Sequence, residues 1–124
     1  MADDLATRGR AVRTQLWGEQ SIPRGDAFLN EFDPGFAKHL NEQIFGEVWN
    51  RPGLPIKTRS IMTVAVLMAL GRSHELRLHM QGALNLGISK EELKEIIVHV
   101  SHYSGVPTAV EGIRAFTDVT APPK

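Results

Sequence analysis

The sequence predicts an all-α fold of about six helices, on three observations. No stretch alternates apolar and polar residues at period two, glycines and prolines punctuate the chain at helical intervals, and two segments have the form of a capping box, Ser89-Lys-Glu-Glu92 and Thr108-Ala-Val-Glu111. In such a box a hydroxyl and a carboxylate three residues apart satisfy backbone N–H groups that an α-helix leaves without partners at its start.

The first helix is expected from about Asp3 to Trp17, where Gly18 stops it. A loop holding Pro23 and Gly25 should follow, then an aromatic-rich helical segment with Phe28, Phe32, Phe36, Phe45 and Trp49. Asp33-Pro34 reads as an N-cap with proline at the first helical position. Asn50-Arg-Pro-Gly-Leu-Pro55 breaks the chain before its most apolar run, Ile61 to Leu70. At ten residues that run is about half of what a membrane span needs, so it is expected as a buried helix. Gly71 closes it, Ser73 caps a helix reaching Leu86 and Gly87, Ser89 opens one to about Ser104, and Thr108 opens the last. Ala121-Pro-Pro-Lys124 reads as a frayed tail.

A chain of 124 residues is expected to be a single domain with one hydrophobic core. Fourteen basic and fourteen acidic side chains cancel, so no strong field draws the molecule to nucleic acid or an anionic membrane. The absence of cysteine excludes disulfides, thiolate metal sites and thiol peroxidase chemistry together. Met1-Ala-Asp-Asp-Leu lacks the basic start and apolar run of a signal peptide, which leaves a cytoplasmic location as the expectation.

Helical spacing sorts the polar residues. Leu76, Met80, Ala83 and Leu84 form the apolar stripe of their helix, with His79 at its edge, Glu75 one turn earlier on the same side, and His74 pointing away. A carboxylate facing an imidazole at i, i+4 raises the pKa of the ring, so this is either a proton-transfer pair or an ordinary helix pair worth about 0.2–0.5 kcal/mol. Glu95, His99 and His102 share a face of the next helix, with His99 beside Tyr103. That face lies away from the Leu93, Ile96, Ile97 and Val100 stripe, and nothing marks closing ligands, so no metal is expected. Arg51 and Arg59 flank the proline loop. Either binds a carboxylate ligand beside apolar walls, or caps a helix or pairs across an interface.

An ordered series of segments now carries a resemblance: Trp49-Asn-Arg-Pro-Gly-Leu54, Lys57-Thr-Arg-Ser60, Leu70-Gly-Arg72, Glu75-Leu-Arg-Leu-His79, Ala83-Leu-Asn-Leu-Gly87 and His99-Val-Ser-His-Tyr-Ser-Gly-Val-Pro107. Over roughly Phe45 to Phe116 the chain resembles the carboxymuconolactone decarboxylase family. The wider superfamily includes alkylhydroperoxidase D-like proteins, whose two cysteines fall on Arg72 and Glu75 here, while their histidine is matched by His79; the resemblance is therefore to the decarboxylase branch. Ser104 stands where decarboxylase relatives commonly carry cysteine.

The resemblance implies a cofactor-independent carboxy-lyase, converting 4-carboxymuconolactone to 3-oxoadipate enol-lactone in aromatic degradation, and a helical protomer assembled as trimers or hexamers. On that implication His79, oriented by Glu75, is the candidate acid, His99 or Tyr103 the group that stabilises the lactone oxygen, and Arg59, with Arg51 in reserve, the holder of the spectator carboxylate. A family member acting on another lactone or acid, and a non-catalytic helical binding or assembly protein, are the alternatives.

Overall fold

The computed structural model describes residues 4–123. Seven α-helices, and no strand, are found among the described residues: α1 (Leu5–Trp17), α2 (Ile22–Phe32), α3 (Pro34–Leu40), α4 (Ile56–Leu70), α5 (Ser73–Asn85), α6 (Lys90–Ser104) and α7 (Val106–Thr120). The all-helical expectation holds and the count of about six is one short. The expected start at Asp3, and Lys124 of the expected tail, lie outside the described residues.

The additional helix is α2, where a loop around Pro23 and Gly25 was expected. Pro23 sits in the first turn, where its missing N–H costs no hydrogen bond, and Gly25 is exposed and merely tolerated at about 1 kcal/mol. Asp33 then ends α2 and caps α3, its carboxylate accepting from the Phe36 N–H at 2.8 Å.

The chain divides into two compact units between Ile56 and Lys57. In the first unit α1 packs on the continuation of α3, a π-helical run Asn41–Glu47 followed by a 3₁₀ turn Val48–Asn50. The approach is close enough to require glycine on both sides. A Cβ on Gly9 would lie 2.7 Å from the Asn41 carbonyl oxygen, and one on Gly46 would collide with the Leu5 carbonyl. Asn50 Nδ2 donates to the carbonyls of Phe45 and Gly46, at 2.8 and 3.1 Å, where the π turns give way to the 3₁₀ turn. Phe45 meets both Trp17 and Trp49 ring to ring, whereas Phe28 and Phe32 on α2 are exposed.

The second unit has a continuous apolar core from Val64 and Met68 (α4), Leu76, Met80 and Ala83 (α5), Ile88, Leu93, Ile96, Ile97 and Val100 (α6) and Ala115 (α7). Gly112 lets α7 seat here, since a Cβ there would come within 2.5 Å of Met68 Sδ. Helix α6 starts with the expected capping box, Ser89 Oγ accepting from Glu92 N and Glu92 Oε1 from Ser89 N, both at 3.0 Å. The other two expected starts differ. Ser73 is the first helical residue of α5 and Arg72 precedes it as a cap without a side-chain bond. Helix α7 begins at Val106 after Gly105, because Pro107 serves its first turn; Thr108 Oγ1 bonds back to the Ser104 carbonyl at 3.2 Å instead of capping. Helix α4 is buried along Ser60, Val64 and Met68 but exposes Met62, Val66 and Leu70, so the expectation of a wholly buried helix is met on one face.

Candidate active site

Helix α5 carries the Glu75/His79 pair. Its apolar residues Leu76, Met80 and Ala83 enter the core, which places His79, about 60° round the helix from Leu76, at the margin of that stripe. His79 is accordingly half-buried, while Glu75, a turn earlier and further from the stripe, is exposed. The sequence led to a raised pKa for the ring. The structure reverses the sign: burial pushes His79 down to about 4, and the Glu75 charge opposes this without overcoming it. The physical reason is that an exposed carboxylate is screened by water, whereas the half-buried imidazolium loses much of its hydration. Near neutral pH His79 is therefore an uncharged imidazole.

Helix α6 carries a second pair at the same spacing, Glu95 and His99, and both are exposed. The His99 ring stacks on Tyr103 at 5.2 Å between centroids. His99 lines a hollow of about 440 Å³ whose apolar wall is Ile61, Ala65, Ile96 and Val100 and whose remaining lining is Glu91, Glu92 and Glu95. A second, smaller hollow lies over Glu95, His99, His102 and Tyr103. His102 is engaged locally, Nδ1 lying 2.8 Å from the Val98 carbonyl oxygen. Among the described residues no group of three or more His, Asp or Glu is gathered to hold a metal ion.

The structure thus brings Glu75 to His79, and His99 to Tyr103, but neither of these two hollows is lined by Glu75, His79 or Arg59. Arg59 is partly buried in the first turns of α4, with its carbonyl accepting from Thr63 Oγ1 at 2.8 Å. Arg51 belongs to the first unit, exposed in extended backbone after the 3₁₀ turn. Two features were missed. The acidic lining from Glu91 and Glu92 was read only as helix-start chemistry, although their places one turn before Glu95 put them on its side of α6. The other is Arg77, whose Nε and Nη2 both contact Asp118 Oδ2 at 2.8 Å while Nη1 donates to the Ser73 carbonyl at 3.0 Å and lies 3.5 Å from Glu111 Oε1. Partners 34 and 41 residues away leave no signal in local spacing.

Comparison with known proteins adds a lineage to this geometry. The sequence pattern of the Carboxymuconolactone decarboxylase family matches residues 34–118. The chain is 47% identical over 102 residues to a 4-carboxymuconolactone decarboxylase of Acinetobacter baylyi, covering 82% of this chain and 76% of that one. It is 30% identical over 109 residues to a nitrosuccinic acid decarboxylase of Metarhizium robertsii, covering 88% and 76%. An uncharacterised 15.0 kDa protein of Paracoccus denitrificans matches at 31% over 95 residues, covering 75% and 71%.

Proposed function

The chain belongs to the carboxymuconolactone decarboxylase family, and from that premise we propose that it decarboxylates 4-carboxymuconolactone to 3-oxoadipate enol-lactone without a cofactor. The observation that carries this reading is the 47% identity to a 4-carboxymuconolactone decarboxylase over most of both chains. The site geometry supplies a proton carrier compatible with it.

In the substrate a carboxylate and a carboxymethyl group share one ring carbon. When the bond to the departing carboxylate breaks, its electron pair moves through the ring double bond to the lactone carbonyl oxygen, so the substrate carries its own electron sink. The protein has to hold the spectator carboxylate, stabilise the oxygen charge and protonate the carbon beside the carbonyl. His79 is assigned the proton. Its ring is neutral by itself, but a lactone anion bound beside it opposes the effect of burial, so the ring takes up a proton with the substrate and returns it to the ring carbon. Glu75 supports the charged form. Arg59 at the start of α4 is assigned the spectator carboxylate, with Arg51 in reserve, and His99 or Tyr103 the lactone oxygen. Glu91, Glu92 and Glu95 work against an anion in the hollow beside His99.

The working form is proposed to be a homo-oligomer, a trimer or hexamer, in the cytoplasm. Met62, Val66 and Leu70 expose an i, i+4, i+8 apolar stripe on α4, and Val106, Val110 and Ile113 expose another on α7, the kind of surface that a neighbouring subunit would cover. No described helix is long and apolar enough to cross a membrane.

A second reading is favoured by the nitrosuccinic acid decarboxylase relative: a family member acting on another acid whose own acceptor group takes the electron pair, as a nitro group beside a carboxylate can. Purified protein is to be incubated with 4-carboxymuconolactone and with nitrosuccinate, following CO2 release. Release from the lactone alone supports the first reading and release from nitrosuccinate the second. Tight binding without release from either would make the protein a non-catalytic binding module.

A further inference from the structure

Placing the α5 side chains at about 100° intervals puts Glu75 and His79 on one flank of the Leu76, Met80 and Ala83 stripe and Arg77 on the other, about 160° from His79. The two flanks are therefore parts of one rigid body, and a roll of α5 that loosens one displaces the other. On the Arg77 flank the guanidinium is engaged through all three nitrogens. The Nε/Nη2 edge closes on Asp118 of α7, and Nη1 reaches the Ser73 carbonyl in the first turn of α5 and faces Glu111 near the middle of α7. The same side chain joins the helix start to the neighbouring helix, and that start has no side-chain cap of its own.

Stability is not the main consequence, because partly exposed ion pairs add little to it. Geometry is. A side-chain tip lies about 5–6 Å from the helix axis, so a roll of about 10° carries it through about 1 Å. A misplacement of that size at a reacting group costs on the order of a hundredfold in rate.

We infer that Arg77 is a positioning residue for the Glu75/His79 pair, holding α5 against α7 through Asp118 so that the His79 ring stays at its half-buried depth. It touches no reacting atom and acts through His79. Its role in turnover rests on the decarboxylase reading, but its effect on the depth of the ring does not.

The test uses Arg77→Gln and Arg77→Lys in the full chain, with turnover, KM and the NMR pH titration of the His79 ring as readouts, and circular dichroism to verify the fold. Arg77→Gln is expected to lose about ten- to a hundredfold in kcat with KM little changed. It should also raise the His79 midpoint from about 4 toward the 6.5 of a solvated imidazole as the ring gains water. Arg77→Lys keeps the charge but not the fork and should restore only part of both. Asp118→Asn should shift the midpoint the same way, and added to Arg77→Gln it should shift it no further. If Arg77→Gln does not fold, Asp118→Asn alone carries the expectation. Because the titration needs no substrate, it reads the proposal even if the lactone is not turned over. A folded Arg77→Gln or Asp118→Asn protein whose His79 midpoint stays near 4 overturns it.

Discussion

Helices α5 and α6 carry the same Glu-x3-His spacing, Glu75/His79 and Glu95/His99, and the structure treats them differently. The first pair has its imidazole at the edge of the core, where burial outweighs the carboxylate and the ring is held uncharged. The second lies on the exposed face of its helix, the ring stacked on Tyr103 beside a hollow with acidic lining. Spacing decides which residues meet, and burial decides what proton chemistry the meeting supports. The two helices are also fixed differently: α6 by a local capping box, α5 by a guanidinium reaching to α7.

The contrast is sharpened most by removing each imidazole. His79→Ala should lower turnover of the lactone by about 10²–10⁴-fold, the usual worth of a general acid. His99→Ala should lower it about tenfold or less, as expected for one exposed hydrogen bond of about 1 kcal/mol. Equal losses in steady-state kinetics would erase the distinction between the helices.

Next in size is the pH dependence of stability. The His79 pKa is lower folded than unfolded, so between pH 6.5 and about 4 the unfolded chain binds a proton that the folded chain refuses. Folding free energy should therefore be lost as pH falls through that window, by up to about 3 kcal/mol, and the loss from this group should level off below pH 4. Urea titrations of wild type and His79→Gln across the window check this. The wild-type curve should be steeper by that amount, and parallel curves would mean that the ring is solvated.

The smallest effect concerns how each helix starts. Ser89→Ala removes the hydroxyl half of the α6 box and should cost about 1 kcal/mol in thermal or urea melts. Ser73→Ala, at a start without a side-chain cap, should cost only a few tenths. A larger loss at Ser73 would show that its hydroxyl works in solution as a cap.

Legibility in the sequence follows the same division between local and distant causes. The Gly18 and Gly71 stops, the Asp33-Pro34 start and the Ser89 box are governed by neighbours within four residues, and each was read correctly. The segment around Pro23 and Gly25 was misread because these residues look like a loop until proline is placed in a first turn. The π-helical run at Asn41–Glu47 lies at the close Gly9–Gly46 approach across the first unit, which no window of sequence contains. For the site, the spacing of Glu75 and His79 was visible, but the sign of the pKa shift was not. That sign follows from the depth of the ring in its surroundings, and Arg77, on the opposite flank, is tied to residues of α7 far along the chain.

The central claim, that burial rather than the neighbouring carboxylate governs His79, is tested most directly by an NMR pH titration of that ring in the wild-type protein without substrate. The account predicts a midpoint near pH 4. A midpoint at or above 6.5 would mean that the Glu75 charge prevails, and would contradict it.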